Sequence, residues 1–153
     1  TNLKSVFFII QKAVPHLEKT KGSIVNISSI LSTMAVPVAT VYSLSKAALD
    51  HLTRCLAVDL GAKGIRVNSI NPGYFPTRIL RHLGDVDKIN EKFGKYEVAQ
   101  QPLKGRIGVL EDVAQAVAFL VSDAAGFVTG ELIKVDGGRN YNGSSTLSAE
   151  ELQ

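Results

Sequence analysis

The sequence predicts an α/β protein built on a parallel β-sheet, with helices connecting successive strands. Three short runs rich in β-branched residues predict strands at residues 23–28, 64–70 and 131–135. Helical periodicity occupies the chain before the first run and between successive runs. Strands separated by helices favour right-handed crossovers, which place neighbouring strands parallel in one sheet.

The first helix is expected to span residues 1–19, with Pro15 loosening its last turns. Gly22 then introduces the first strand, which ends in serines. The apolar positions recur at the spacing of one helix face: Leu3, Val6, Phe7, Ile10, Ala13, Val14 and Leu17.

A second helix is predicted from Tyr42 to about Leu60. Its apolar residues cover a wider arc than one contact with the core requires, so we expect it also to face a partner subunit. The second strand follows, and Asn71-Pro72-Gly73 ends it.

Residues 77–108 are polar and irregular, and we expect one or two short helices within them. A clearer amphipathic helix is predicted at 111–121, and Asp136-Gly137-Gly138 closes the third strand. We therefore assign residues 1–138 to part of a single, larger α/β domain, because a sheet of three strands is thin and the first helix has no strand before it. Residues 139–153, rich in Asn, Gly and Ser, predict a flexible or docking tail.

Composition excludes several classes of function. The 153 residues are 45% apolar, enough for one packed core, and the net charge of +3 comes from basic residues scattered among 14 acidic ones. This pattern does not favour nucleic-acid binding, and no apolar run is long enough to cross a bilayer. Cys55 is the only cysteine, which excludes a disulfide framework and favours a reducing, cytoplasmic location. Organelle targeting by a segment before Thr1 stays open.

Tyr42 and Lys46 are the first candidate catalytic pair. They stand four residues apart at the start of a predicted helix, so the phenol and the ammonium project from one face. A fixed cation beside a phenol favours the phenolate form, which is how a tyrosine becomes a general acid/base at neutral pH. Taken alone, this spacing is more often a helix-start aromatic beside a solvated lysine.

Two strand ends support the catalytic interpretation. Ser29 ends the first strand thirteen residues before Tyr42, and ligands bind at the carboxyl ends of parallel strands. Ser29 is either a turn residue or a donor that fixes a carbonyl oxygen. The segment from Asn71 to Gly73 is either a plain turn or a bend that brings a flat ligand close to the main chain, with the Thr77 hydroxyl nearby.

Four segments together resemble the short-chain dehydrogenase/reductase family in order and spacing: "GSIVNISS", "YSLSK", "IRVNSINPGYFPT" and "GFVTGELIKVDGG". The resemblance covers Asn2 to Gly138. It implies a Rossmann-type doubly wound parallel sheet, of which only the carboxyl-terminal part is present. It also implies hydride transfer between NAD or NADP and a ketone or secondary alcohol.

The resemblance also implies roles for individual residues. Tyr42 matches the proton donor and acceptor, and Lys46 matches the lysine that lowers its pKa and bonds the nicotinamide ribose. Ser29 matches the residue that orients the substrate oxygen, and Asn2 the fourth catalytic member, which holds a water in the proton relay. The segment that holds the carboxamide and pyrophosphate side of the cofactor is matched by Pro72, Gly73, Phe75 and Thr77. No metal site is implied.

One family feature is absent from these 153 residues, which contain no Gly-rich pyrophosphate loop. We therefore expect the chain alone to be inactive and the intact protein to be an enzyme, with the choice between NAD and NADP open. A homo-oligomer, dimer or tetramer, is expected through the first two helices. The alternative is a non-catalytic scaffold or oligomerisation module that keeps the family's residues. A serine hydrolase is disfavoured because no G-x-S-x-G elbow occurs.

Overall fold

A computed structural model of the chain describes residues 2–37 and 39–141. It contains four α-helices and three β-strands, with one helix before each of the first two strands and two helices before the third. The elements, in chain order, are α1 (Lys4–Thr20), β1 (Ser23–Ile27), α2 (Thr40–Gly61), β2 (Arg66–Pro72), α3 (Val86–Gln100), α4 (Leu110–Val121) and β3 (Leu132–Val135).

The three strands form one parallel sheet in the order β1-β2-β3, which confirms the predicted α/β class. The central strand pairs on both edges: Ile27 lies opposite Ile70 on one side, and Pro72 lies opposite Val135 on the other. Because all three strands run the same way, their carboxyl ends meet at one edge of the sheet. The residues that follow these ends are therefore brought together.

Two apolar clusters cover the two faces of β2. On one face, Val67 packs with Ile10 of α1 and Leu56 of α2. On the other face, Ile70 packs with Leu120 of α4. Side chains three positions apart on a strand point to opposite faces, so a single buried strand holds both helical layers.

Helix α3 is the main difference from the sequence prediction. It is 15 residues long, where one or two short helices were expected between residues 77 and 108. Its start is stabilised by Asp85, whose carboxylate accepts hydrogen bonds from the backbone N–H groups of Asp87 and Lys88. Its middle turns pack on the segment after β2, where Tyr74 stacks on Phe93 and donates to Asn90 Oδ1 at 2.7 Å. These contacts between distant segments are invisible to local periodicity.

The start of the predicted tail is held in place. Residues Arg139–Tyr141 form a 3-10 turn, and Arg139 Nε lies 2.9 Å from Glu97 Oε2 on α3 in an ion pair that is mostly shielded from solvent. Residues 142–153 lie outside the described part of the chain, so the prediction of a flexible or docking tail stays a prediction. In the described ranges no helix combines the length and the apolar character needed to cross a membrane.

The loop before α4 is fixed by an arginine–carboxylate pair. Arg106 donates two hydrogen bonds to Asp112, at 2.7 and 2.8 Å, and the Val109 N–H donates a third at 2.8 Å. These donors, first the arginine and then the backbone, lower the pKa of Asp112 from its ordinary 3.8 to about 2. The charged carboxylate is therefore the form that the fold prefers.

This depressed pKa predicts an acid-dependent loss of stability. Above the ordinary value of 3.8 the contribution of Asp112 is complete, and it is lost as the pH falls to about 2. We expect Asp112→Asn in the full-length protein to lower Tm at pH 6, and the difference from wild type to shrink toward pH 2. Thermal unfolding across this range measures it, with the exposed Asp59→Asn as control. A Tm difference that stays constant with pH would contradict the assignment.

Candidate active site

Ser29 lies just beyond the carboxyl end of β1 and is buried. Its backbone is extended, and its Oγ accepts a hydrogen bond of 3.1 Å from the Leu31 N–H, which caps the 3-10 turn Ile30–Ser32. Ser29 is therefore a turn residue in its local structure, which was one of the two interpretations of the sequence. This does not exclude the other interpretation, because a hydroxyl that accepts through a lone pair keeps its hydrogen for donation.

Tyr42 and Lys46 lie in the first turns of α2, on one face as their spacing predicts. The Lys46 Nζ is 5.7 Å from the centroid of the Tyr42 ring. The same Nζ donates a hydrogen bond of 2.7 Å to the Ile27 carbonyl oxygen, at the last residue of β1. Lys46 thus connects the start of α2 to the strand end that precedes Ser29.

The electrostatic environment of Lys46 contains two opposing effects. Burial disfavours the charged ammonium and brings the pKa of Lys46 below its usual value. The Asp50 carboxylate, one helical turn further along α2, raises this pKa and offsets part of the effect of burial. The protonation of Lys46 therefore depends on a neighbour that the sequence analysis did not single out.

Asn2 reaches the same turn of α2 from the start of the chain. Its Nδ2 donates to Ser45 Oγ at 3.2 Å, and Ser45 Oγ donates in turn to the Tyr42 carbonyl oxygen at 2.7 Å. All four residues predicted to be catalytic therefore contact the carboxyl end of β1 or the first turns of α2.

The predicted cofactor-binding segment forms a tight bend after β2. The Gly73 N–H donates to the Val135 carbonyl oxygen at 2.9 Å, and a Cβ at Gly73 would lie 3.1 Å from the Asp136 Cα. A larger residue at this position would push the bend away from the end of β3. Thr77 stays partly exposed, and its Oγ1 accepts from the Ile79 N–H at 3.3 Å.

Phe75 is the buried member of this segment. Its ring lies directly over Gly108, where an added Cβ would come within 2.5 Å of it. The side chain of Phe75 therefore anchors the bend to the loop before α4. Pro72 has no N–H, so its own contribution is limited to the carbonyl oxygen and the ring.

Sequence reasoning missed a buried polar pair beside the site, Asp50 and Asn71. The sequence predicts a turn or a ligand-binding bend at Asn71 but no partner for its side chain, whose Nδ2 lies 2.8 Å from Asp50 Oδ2 and 3.3 Å from the Ser29 carbonyl oxygen. The sequence contains one indication of this pair, because Asp50 follows Lys46 by four residues inside the largely apolar run "AALDHL". A lone carboxylate on that face of a helix is unusual and needs a partner.

The donor set fits an organic ligand with hydroxyl and amide groups better than a metal ion. The Ser29 hydroxyl lies just after β1, and the Tyr42 phenol and the Lys46 ammonium lie at the start of α2. No cluster of three or more His, Cys, Asp or Glu side chains that could hold a metal occurs in the ranges 2–37 and 39–141. One cavity, of about 480 Å³, lies between α1 and α2, away from these residues. Another, of about 370 Å³, lies between α3 and the end of β3, and Phe75 of the predicted cofactor-binding segment lines it.

Comparisons with known proteins agree on one family. The family model described as Enoyl-(Acyl carrier protein) reductase matches residues 1–140. The chain is 40% identical over 138 residues to a 3-oxoacyl-acyl-carrier-protein reductase from Thermotoga maritima, covering 90% of this chain and 53% of the relative. It spans about half the length of the curated relatives that it matches.

Solved structures share the fold at similar identity. A gluconate 5-dehydrogenase from Burkholderia cenocepacia, in complex with NADP and tartrate, is 32% identical with a TM-score of 0.80, covering 92% of this chain and 53% of its own. A 7α-hydroxysteroid dehydrogenase in complex with NADH is 35% identical, also with a TM-score of 0.80, covering 90% and 52%. The α/β layers and parallel sheet described above are therefore part of a Rossmann-type fold, as the sequence predicted.

Proposed function

Since the chain belongs to the short-chain dehydrogenase/reductase family, we propose that the intact protein transfers a hydride between a nicotinamide cofactor and a ketone or secondary alcohol. The observation that carries this proposal is the position of Lys46, which contacts the end of β1 and lies beside the Tyr42 ring. We assign residues 1–138 to the carboxyl-terminal part of a single Rossmann-type domain. The activity is assigned to the whole protein.

Tyr42 is the proposed general acid/base. The ammonium of Lys46 stands beside its ring, and a cation in that position favours the phenolate over the neutral phenol. In the direction of carbonyl reduction the phenol donates its proton to the developing alkoxide. In the direction of alcohol oxidation the phenolate accepts the proton of the alcohol.

Ser29 and Asn2 are the proposed supporting members. The Ser29 hydroxyl hydrogen is free to donate to the substrate oxygen, because the contact with Leu31 uses only a lone pair. Such a donor stabilises negative charge on that oxygen as the carbonyl is reduced. Asn2 fixes the turn that carries Tyr42 through Ser45, and it is proposed to hold a water in the proton relay.

The cofactor is proposed to be NAD or NADP, and relatives with bound NADP and bound NADH support both. When bound, it supplies the hydride donor or acceptor. Lys46 and Tyr42 are the residues proposed to hold its ribose hydroxyls. The bend after β2 is proposed to hold the carboxamide and pyrophosphate side through Pro72, Gly73, Phe75 and Thr77. The substrate is proposed to be a small carbonyl or alcohol.

The proposal predicts the result of removing one oxygen atom. Tyr42→Phe in the full-length protein should lower kcat by about 10²- to 10⁴-fold, because the proton donor is lost while the ring stays. Affinity for NADH or NADPH should change only a few-fold by fluorescence titration. Tyr96→Phe, an exposed tyrosine on α3, is the matched control and should keep full activity.

Two outcomes would contradict this assignment in different ways. A Tyr42→Phe variant with near-normal kcat would exclude Tyr42 as the acid. A wild-type protein that oxidises neither NADH nor NADPH with any carbonyl tested would favour the alternative, a non-catalytic scaffold.

We also propose that the protein is a homo-oligomer through α1 and α2. Both helices present apolar side chains to solvent, including Phe8 and Ile9 on α1 and Val58 on α2, which are 49%, 68% and 81% exposed. The cavity between the two helices is lined by Phe7, Phe8 and Leu52 among others. Apolar surface of this kind favours self-association, and closed symmetric assemblies are the common form.

If α1 and α2 form the interface, the mass of the protein in solution depends on the exposed apolar surface of α1. Full-length protein at micromolar concentration should give a dimer or tetramer by light scattering, and Phe8→Glu should shift it toward the monomer, because a charge would be buried in the interface. Leu103→Glu places the same charge on an exposed residue outside both helices and should leave the mass unchanged. A monomeric wild type would contradict the proposal.

A further inference from the structure

A buried carboxylate lies one helical turn beyond Lys46. Asp50 is 3% exposed, and its Oδ2 accepts a hydrogen bond of 2.8 Å from Asn71 Nδ2. Its second oxygen, Oδ1, is buried and has no hydrogen-bond partner among the described residues. Burying a carboxylate is costly unless its charge or its hydrogen bonds are used, so this position needs a physical reason.

Asn71 connects that carboxylate to the turn that carries Ser29. Its Nδ2 lies 3.3 Å from the Ser29 carbonyl oxygen and 3.1 Å from Ser32 Oγ, so the two amide hydrogens are shared among three acceptors. Its Oδ1 accepts from Ser69 Oγ at 3.0 Å, which fixes the orientation of the amide. The pair therefore joins three elements: α2, β2 and the turn after β1.

Asp50 is the charged side chain that acts on Lys46. The carboxylate raises the pKa of Lys46, whereas burial lowers it. Tyr42 is the titratable group that faces the ammonium from the same helix. Neither β1 nor the turn Ile30–Ser32 carries an ionisable side chain, and the one on β2, Arg66, donates to the carbonyl oxygens of Leu120 and Ser122 at the other end of the strand.

We propose that Asp50 is a positioning residue of this site: it supplies the negative charge that balances the Lys46 ammonium, and it anchors Asn71, which holds the Ser29 backbone against α2. The catalytic part of this inference rests on the proposed function. Asp50 acts through its neighbours, because its carboxylate is buried behind them. Its placement gives the otherwise unexplained buried charge a use.

The charge of Lys46 affects the proposed role of Tyr42. A neutral Lys46 would no longer favour the phenolate, and it would offer one hydrogen fewer to the groups around it. A nearby anion helps to keep a partly buried amine charged, and it acts more strongly when it is itself shielded from solvent, because a solvated carboxylate acts more weakly over the same distance.

The first test measures the protonation of Lys46 without any catalysis. Competitive acetylation of the full-length protein across a pH series, read residue by residue by mass spectrometry, gives the pH at which Lys46 becomes reactive. Asp50→Asn keeps the shape of the side chain and a hydrogen-bond acceptor for Asn71 but removes the charge. We expect its Lys46 midpoint to move to lower pH, with Asp59→Asn, on the exposed side of α2, matching wild type.

An unchanged Lys46 midpoint in Asp50→Asn would overturn the proposal. Should that variant not fold, Asp50→Ser removes the same charge with a smaller polar side chain. The same acetylation series on the wild-type protein is a further test. If Lys46 is already neutral at the pH of maximal activity, Asp50 does not keep it charged and the proposal is wrong.

The second test is kinetic, and it depends on the proposed function, whereas the acetylation test does not. In the full-length protein, Asp50→Asn should lower kcat about tenfold, which corresponds to about 1.4 kcal/mol, with KM for the carbonyl within about threefold of wild type. The alkaline limb of its kcat profile should move to lower pH. A uniform loss of kcat without a moved limb would indicate a purely structural role and overturn the electrostatic one. A wild type without turnover would defeat the proposed function while leaving the acetylation result to decide the charge pairing.

Discussion

Strand β2 pairs with β1 on one edge and with β3 on the other, and this pairing fixes where the loops of the candidate site begin. Its residues from Val67 to Asn71 are almost completely excluded from solvent, and parallel partners bind it on each side. A strand held in this way cannot shift in register by one residue without moving its apolar side chains out of their clusters and its buried polar side chains away from their hydrogen-bond partners. Its carboxyl end is therefore a fixed point. The turn after β1 is attached there by the Ser28 N–H, which donates to the Ile70 carbonyl oxygen at 2.8 Å.

The polar residues of β2 hold the neighbouring loops in place by hydrogen bonds. Asn68 donates to the Val128 carbonyl oxygen at 2.9 Å and accepts from the Glu131 N–H at 3.0 Å, so it shapes the entry to β3. Asn71 does the same for the turn after β1 and for α2. Buried amides are stable only when their donors and acceptors are satisfied, and here satisfying them requires the loops to lie in one arrangement. The polar positions of the strand specify the site, whereas its apolar positions hold the helices.

The sequence predicted the parts of the molecule that depend on local pattern. Apolar periodicity located all three strands and the helices around Ile10, Leu56 and Leu120, and the spacing of Ser29, Tyr42 and Lys46 located the candidate site. It did not predict the length of α3, which is stabilised by the Asp85 cap and by Tyr74 from another segment. It also missed the pairing of Asp50 with Asn71. Those two residues are brought together only when α2 packs on β2, and no local pattern encodes that contact.

The order of charges along α2 explains why a tyrosine, a lysine and an aspartate can share one helix face. Tyr42 lies nearest the amino terminus of α2, and the Lys46 Nζ is 5.7 Å from the centroid of its ring. Burial disfavours the Lys46 ammonium and lowers its pKa. An anion one turn further along the helix opposes this effect, and Asp50 occupies that position with its carboxylate shielded from water. The ammonium therefore lies between an aromatic ring four residues before it and a buried carboxylate four residues after it, so its charge depends on both the burial and the partner that the helix supplies.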